Sequence, residues 1–258
     1  MGPLFTLTTD FGAGSGYPAQ LKGVLLASFP DARIVDVSHE VPHFDLVAGA
    51  LLLEMALPRF PLEAIHVAVV DPGTGTARRG LCVVSPEGGR VVGPDNGLLT
   101  PFLGPGVRVY DLSNPEAVPP PQSATFHGRD LFVPAAVFLA EGGTPERLGR
   151  PVDDPVRLPW PSATRAGDAI AGETVGADPF GNLLTSIRAR DLGRAAVRSV
   201  DVGGAPARWV KTFGDGAPGE LLAYVGSGGR VEIAVRERSA AATLGRVRGV
   251  PVRLEVSD

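Results

Sequence analysis

The hydrophobic pattern of this chain changes character once, near residue 150, and no fold of a single class accommodates both halves. Before that point strand and helix signals alternate. LFTLTT (4–9) reads as a strand, and YPAQLKGVLLASF (17–29) as a helix with Leu21, Val24, Leu25 and Phe29 on one face. RIVDVS (33–38) is a second strand and FDLVAGALLLEMAL (44–57) a largely buried helix. IHVAVV (65–70) is an unbroken apolar strand of the kind covered on both faces. LCVVS, RVVG and VRVYDL are shorter strands, and RDLFVPAAVFLAEGG (129–143) is a helix closed by Gly-Gly. Strands feeding helices that feed strands build βαβ units around a mostly parallel sheet, so residues 1–150 are read as an α/β N-terminal domain.

The stretch PVDDPVRLPWPSATR (151–165) has four prolines and no amphipathic period, and reads as a linker. From 166 to 258 the texture is short strands separated by glycine turns: AIAGETVGAD, NLLTSI, VRSVDVG, ARWVKTF, ELLAYVG, RVEIAV and PVRLEV. That is the pattern of a smaller antiparallel sheet or barrel. The fold class expected is therefore α/β, with a C-terminal β-barrel-like domain.

Composition narrows the function. Lys and Arg number 24 against 28 Asp and Glu, a net charge of −4, which argues against a nucleic-acid partner because phosphate backbones need a positive field. No apolar run approaches the roughly 18 residues of a membrane helix. MGPLFTLTTDFG has no basic leader region, so no signal peptide is expected. The single cysteine, Cys82, leaves nothing to staple, and a reducing cytoplasm is the expected home.

Two apolar strands finish in aspartate: Asp10 after LFTLTT, and Asp71 after IHVAVV. A carboxylate at such an edge is costly unless something pairs with it, and its two oxygens suit a cis-diol or an arginine fork. Each equally suits a turn cap, and the two readings stand side by side. DPGTGTARRG (71–80) follows, with Arg78 seven residues after Asp71; of Arg78 and Arg79, one is expected to be merely solvated. His127 stands before Gly128 at a helix entrance. His39 and His43 lack a third ligand at matched spacing, so no metal site is expected, and His66 reads as packed within its strand. Asp178, Asn182 and Ser227 lie in turns that explain them structurally, whereas Glu232, inside RVEIAV, must face solvent or a cation. There is no nucleophile elbow, CxxC or HExxH, and Cys82 within a strand is a poor nucleophile. GAGSG (12–16) lacks the sustained glycine loop and acidic strand end of a methyltransferase.

TTDFG (8–12), VVDPGTGTARR (69–79), VGPDNGLLTP (92–101), TFHGRD (125–130), DPFGNLLTSI (178–187) and GSGGRVEIAV (226–235) occur in this order. Together they resemble the S-adenosylmethionine (SAM) hydrolase family, the SAM hydroxide adenosyltransferases, which are related to the SAM-dependent fluorinase and chlorinase. The resemblance implies an α/β N-terminal domain, a barrel-like C-terminal domain and a homotrimer. SAM would be held between the N-domain of one subunit and the C-domain of the next, with no cofactor and no metal. It places the catalytic set on Asp71, Arg78 and His127, and the ribose grip on Asp10. Thr74 and Phe126 line the substrate. Asp178 and Asn182 fall at the methionine and adenine ends, Ser227 and Glu232 at the methionine-binding turn and strand, and Val235 offers backbone to adenine. The implied reaction is attack of water or hydroxide on the ribose C5′, giving adenosine and L-methionine. Thr74 departs from the family's usual valine and matches a halide-lining threonine of the halogenases. Those enzymes, however, carry tyrosine at the place of Asp71, the fluorinase carries serine at the place of Gly128, and it has an extra loop not apparent here. A halogenase and a SAM- or adenosine-binding module with negligible turnover are the two alternatives.

Overall fold

Strand β1 (Leu4–Thr9) is buried from Phe5 to its end, as its apolar sequence demands. The computed structural model describes residues 2–257 and divides into two compact units between Leu158 and Pro159. In the first unit β1 is followed by α1 (Tyr17–Ser28), β2 (Arg33–Ser38), α2 (Leu46–Ala56), β3 (Ile65–Val69), β4 (Gly80–Val84), β5 (Arg90–Pro94), β6 (Arg108–Asp111) and α3 (Val133–Ala140). The sheet order is β2-β1-β3-β5-β4-β6. β1 runs parallel to β2 and β3, and β3 parallel to β5, while β4 is antiparallel to both its neighbours.

Alternation along the central strands sends successive side chains to opposite faces. Phe5, Leu7, Val67 and Val69 pack with Leu21 and Leu25 of α1 and Val133, Ala136 and Leu139 of α3. Ala68 and Val70 face the other way, onto Leu53 of α2 and Leu98. Cys82 lies fully buried in the first of these cores, and burial pushes its thiol up to about 12.

The bounds of α2 and α3 differ from those read in the sequence. α2 begins at Leu46 rather than 44, because Asp45 caps it by accepting the Ala48 N–H at 2.9 Å. The helix expected over 129–143 opens as a π-turn, Gly128–Phe132, in which the Val133 N–H reaches back five residues to the Gly128 carbonyl. Pro134, with no N–H, cannot continue an ordinary ladder at that point. α3 then ends at Ala140, ahead of Gly142 at φ +91°.

The proline-rich segment is bonded along the first unit as far as Leu158. Val152 N–H donates to Val109 (2.8 Å), Val156 N–H to Asp95 Oδ1 (2.7 Å) and Leu158 N–H to Thr100 Oγ1 (2.8 Å). Its non-proline residues supply the donors its prolines lack.

The second unit contains β7 (Thr164–Ala166), β8 (Ala169–Ala177), β9 (Leu183–Arg188), α4 (Ala189–Leu192), β10 (Ala196–Val202), β11 (Ala205–Trp209), β12 (Leu221–Val225), β13 (Arg230–Val235), α5 (Ala240–Leu244) and β14 (Pro251–Ser257). The order β14-β10-β11-β12-β13-β9-β8, with β14 pairing back to β8, closes a seven-stranded barrel. Its interior is filled by Ile170, Leu183, Ile187, Val200, Ile233, Val252 and Leu254. The strand expected over ARWVKTF stops at Trp209, because Thr212 and Asp215 cap each other and turn the chain.

His66 is packed on β3, with Nδ1 2.7 Å from the Thr6 hydroxyl and the ring edge-on to Phe60. Burial lowers its pKa from 6.5 to about 4. A folded-state value below the ordinary one means that the neutral ring is favoured by folding, so this stability is present above pH 6.5 and lost as pH falls towards 4. Lowering the pH from 7 to about 4.5 is expected to remove about 2–3 kcal/mol through this ring. Urea titrations of wild type and His66→Leu at both pH values check it; an unchanged pH dependence in the variant contradicts the assignment.

Candidate functional site

The chain leaves β1 towards β2 on one side and later returns as β3 on the other. The sheet order therefore reverses between β1 and β3, the usual place for a ligand in a parallel sheet. Asp10 and Asp71 stand at the C-terminal ends of these two strands.

Asp10 is buried, and its Oδ2 accepts the Phe44 N–H at 3.0 Å. Oδ1 accepts no hydrogen bond from any described residue, which leaves it able to receive a hydroxyl. The loop that presents Phe44 is itself fastened: Gly12 N–H donates to the His39 carbonyl at 2.7 Å, and the Thr9 hydroxyl meets His39 Nδ1 at 2.8 Å. His39 is thus a structural histidine, its Nε2 3.1 Å from Asp36. Phe44 adopts φ 63°, a left-handed conformation rare for a bulky side chain, and remains exposed. Sequence reasoning missed it, since backbone sign leaves no local pattern in a phenylalanine.

Asp71, Thr74, Arg78 and His127 form one hydrogen-bonded set. Arg78 Nε donates to Asp71 Oδ1 (2.9 Å) and Oδ2 (3.1 Å), and Nη2 also donates to Oδ2. The Thr74 hydroxyl donates to Asp71 Oδ2 at 2.6 Å and the Gly73 N–H to Oδ1 at 3.2 Å. The Asp71 side chain is 2% exposed and that of Arg78 9%. Arg78 Nη2 then lies 2.8 Å from His127 Nδ1. A guanidinium only donates, so Nδ1 accepts, and the proton of the neutral ring sits on Nε2. Burial first, and the adjacent Arg78 charge second, hold the His127 imidazole below its usual range, against an opposing pull from Asp71 and Asp130. Phe132, at the end of the π-turn, lies with its ring centroid 5.0 Å from the Arg78 guanidinium carbon.

The second arginine of the pair is not simply solvated, contrary to the sequence expectation. Arg79 Nε donates to Asp95 Oδ2 at 2.7 Å and Nη1 to Asp154 at 2.8 Å. Phe126 packs edge-on to Phe11 (5.7 Å) and Tyr17 (5.2 Å), with Arg129 over its face. These residues border a cavity of about 370 Å³. A Cβ on Gly128 would meet the Phe11 ring at 3.2 Å and the Phe126 ring at 3.3 Å, so glycine lets these rings close in where a serine would press on them.

The second unit gathers the remaining candidates only in part. Asp178 accepts Asn182 N–H (2.8 Å) and Nδ2 (2.8 Å), together with Phe180 N–H (2.9 Å). Gly181, at φ +84°, has a built Cβ position 2.1 Å from the Ser239 hydroxyl, which excludes any side chain there. Glu232 does not face solvent, and no described residue places a cation against it. It is buried beside the Tyr224 hydroxyl, and burial and the nearby Asp178 raise its pKa. Desolvation and the same Glu232 push Tyr224 up to about 12. Ser227 lies in the turn before β13 and Val235 at the far end of that strand, so the two are not brought together; the Val235 carbonyl already accepts the Arg238 N–H at 3.0 Å. A cavity of about 590 Å³ is lined by Phe180, Asn182, Phe213, Tyr224, Glu237 and Ser239, of which the sequence pointed only to Asn182. The signal that was available is Phe180, an aromatic in a glycine turn, now seen 82% exposed.

Residues 5–149 match the SAM hydroxide adenosyltransferase N-terminal domain, and residues 172–253 match the C-terminal domain of the same family. The chain belongs to the SAM hydroxide adenosyltransferase family. A Salinispora tropica relative named (R)-S-adenosyl-L-methionine hydrolase is 42% identical over 98% of this chain and 97% of its own length. A Thermus thermophilus protein of the same name is 41% identical, over 98% and 100% respectively. A solved structure of an uncharacterized conserved protein from Thermotoga maritima superposes with a TM-score of 0.85 at 32% identity, covering 97% of this chain and 99% of that one. SAM hydroxide adenosyltransferase membership fits the order of the six sequence motifs.

Proposed function

We propose that the protein hydrolyses S-adenosyl-L-methionine at the ribose C5′, releasing adenosine and L-methionine. The observation that carries this reading is the single guanidinium, Arg78, joined at once to Asp71 and to His127. The sulfonium of SAM is a ready leaving group. As oxygen attacks C5′, the C5′–S bond breaks, its electron pair returns to sulfur, and methionine departs neutral with no acid and no cofactor. What the enzyme must supply is a nucleophile aligned behind C5′ and rich in hydroxide character.

The bonding of the set divides the labour. Asp71 has both oxygens filled by Arg78, Thr74 and Gly73, so it holds the guanidinium in place rather than taking a proton. His127 Nδ1 is occupied by Arg78, so the ring presents Nε2–H as a donor to the attacking oxygen. Arg78 supplies the positive field that favours hydroxide over water. The water's proton leaves to solvent, which balances the reaction. Asp10 Oδ1 would accept the ribose diol, and Phe126 would border the sugar. Asp178 and Glu232 would receive the α-ammonium, Asn182 and the Val235 backbone the adenine, and the Ser227 turn the methionine carboxylate.

Halide transfer is the weaker reading. The Thr74 hydroxyl is spent on Asp71 and is not left to donate to a halide. The working form we propose is a cytoplasmic homotrimer in which the N-terminal unit of one protomer and the C-terminal unit of the next share each substrate; this rests on the resemblance.

Incubating the full chain with SAM in H₂¹⁸O and separating the products is expected to give adenosine labelled at its 5′-oxygen, with the rate abolished in Asp71→Ala. Formation of 5′-halo-adenosine on adding chloride or fluoride would reverse the choice, and adenosine binding without turnover would leave a binding module instead.

A further inference from the structure

The motif VGPDNGLLTP takes no part in the chemistry above, yet it stands directly beneath it. β5 lies between β3 and β4 in the sheet, so the loop that carries Asp71 and Arg78 from β3 to β4 arches over the C-terminal end of β5. The two residues that follow β5 each hold one foot of that arch. Asn96 Nδ2 donates to the carbonyl of Val70 at 2.9 Å, immediately before Asp71. Its own Oδ1 accepts the Leu98 N–H at 3.1 Å, which fixes the amide with its donor end towards Val70. Asp95 holds the other foot, immediately after Arg78. Its backbone N–H donates to the Arg79 carbonyl at 3.0 Å, and its Oδ2 accepts Arg79 Nε at 2.7 Å. The remaining oxygen, Oδ1, takes the Val156 N–H at 2.7 Å, so this buried carboxylate is fully occupied and cannot swing away. The Arg79 carbonyl also receives Arg78 Nη1 at 3.3 Å, which connects the foot to the guanidinium itself.

We propose that Asp95 and Asn96 are positioning residues that set the span of the 70–79 arch, and so hold Arg78 within reach of both Asp71 and His127. This rests on reading Asp71, Arg78 and His127 as the reacting set. The two contacts of Arg78 do not depend on the arch equally. Its bond to Asp71 lies within the loop and travels with it. Its bond to His127 crosses to the π-turn and survives only while the loop is fixed relative to the sheet. Slack in either foot therefore parts Arg78 from His127 first, and displacements of this order cost up to about a hundredfold in rate.

The test uses the full chain with Asn96→Ala and Asp95→Asn, the first being the milder should the second fail to fold. Three readouts are taken: kcat and KM for SAM, adenosine affinity by calorimetry, and the imidazole titration of His127 by NMR, assigned by its disappearance in His127→Gln. For Asn96→Ala, kcat is expected to fall about 10–100-fold, with KM and adenosine affinity within threefold of wild type. The His127 midpoint should rise towards its ordinary value as Arg78 withdraws. A kcat within threefold together with an unmoved midpoint overturns the proposal. So does an equal loss of kcat and adenosine affinity, which would mark general loosening. If the wild-type chain makes no adenosine, the proposed activity falls on its own, and the His127 midpoint still decides the brace: unmoved in Asn96→Ala, it overturns it.

Discussion

Arg78→Lys is expected to lower kcat for adenosine formation by about a hundredfold to a thousandfold, as for removal of a preorganised charged donor, while the protein remains folded. The charge is kept, so a purely electrostatic role at long range would leave the rate nearly intact. What is lost is the planar fork. One ammonium cannot meet both oxygens of Asp71, the Arg79 carbonyl and His127 Nδ1 in the directions the guanidinium now serves. The second sign of the same change is acid sensitivity. In wild type, His127 titrates below its ordinary 6.5, so adenosine formation should hold to lower pH and then fall as the ring takes a proton on Nδ1 and expels Arg78. With lysine in place, the hydrogen bond that occupies Nδ1 is gone, so the acid limb should move up, while burial still holds it below the ordinary range. Steady-state rates by chromatography across pH 5–8 report both effects; a loss under threefold with an unmoved limb would remove Arg78 from the mechanism.

Gly93→Ala is expected to cost about 2–3 kcal/mol of stability, the range of a forced overpacking in a well-packed core. Gly93 sits in β5 opposite Leu81 of β4, and a Cβ there would lie 2.5 Å from the backbone carbonyl oxygen of Ala68 on β3. A carbonyl in a central strand cannot step aside as a side-chain tip does. The strand must shift, and it carries Asp95 and Asn96 at its end. Gly14→Ala is the control: it has no atom within 4 Å of its built Cβ, so its urea midpoint should stay near that of wild type. Equal midpoints for the two variants would show that β5 has more room than its geometry allows.

Much of this was legible in the sequence where the signal is local. IHVAVV announces a strand covered on both faces, and its abrupt end in Asp71 announces an edge; the seven-residue step to Arg78 is within reach of one loop. The barrel is legible because glycine turns cut its strands to length. What the sequence hid is what depends on neighbours distant along the chain. Asp95 and Asn96 matter because β5 falls between β3 and β4, an order no short pattern encodes. That one of Arg78 and Arg79 reads as merely solvated follows because Asp154, a partner of Arg79, lies 75 residues on, in a stretch that reads as a linker. Glu232 lies beside Tyr224 of the neighbouring strand β12, with the Asp178 carboxylate near enough to raise its pKa, and neither neighbour is visible in the pattern of RVEIAV itself. The π-turn that follows His127 reads as ordinary helix because its apolar spacing is nearly that of one.

The burial of Cys82 has a practical consequence. A thiol with no exposed surface and a pKa near 12 offers almost no thiolate to a maleimide at neutral pH, so the folded chain is silent to such dyes. A cysteine introduced at any exposed position becomes the single labelled site without first deleting the native one. One such cysteine on each side of the Leu158–Pro159 junction would let fluorescence follow the separation of the two units as substrate is added.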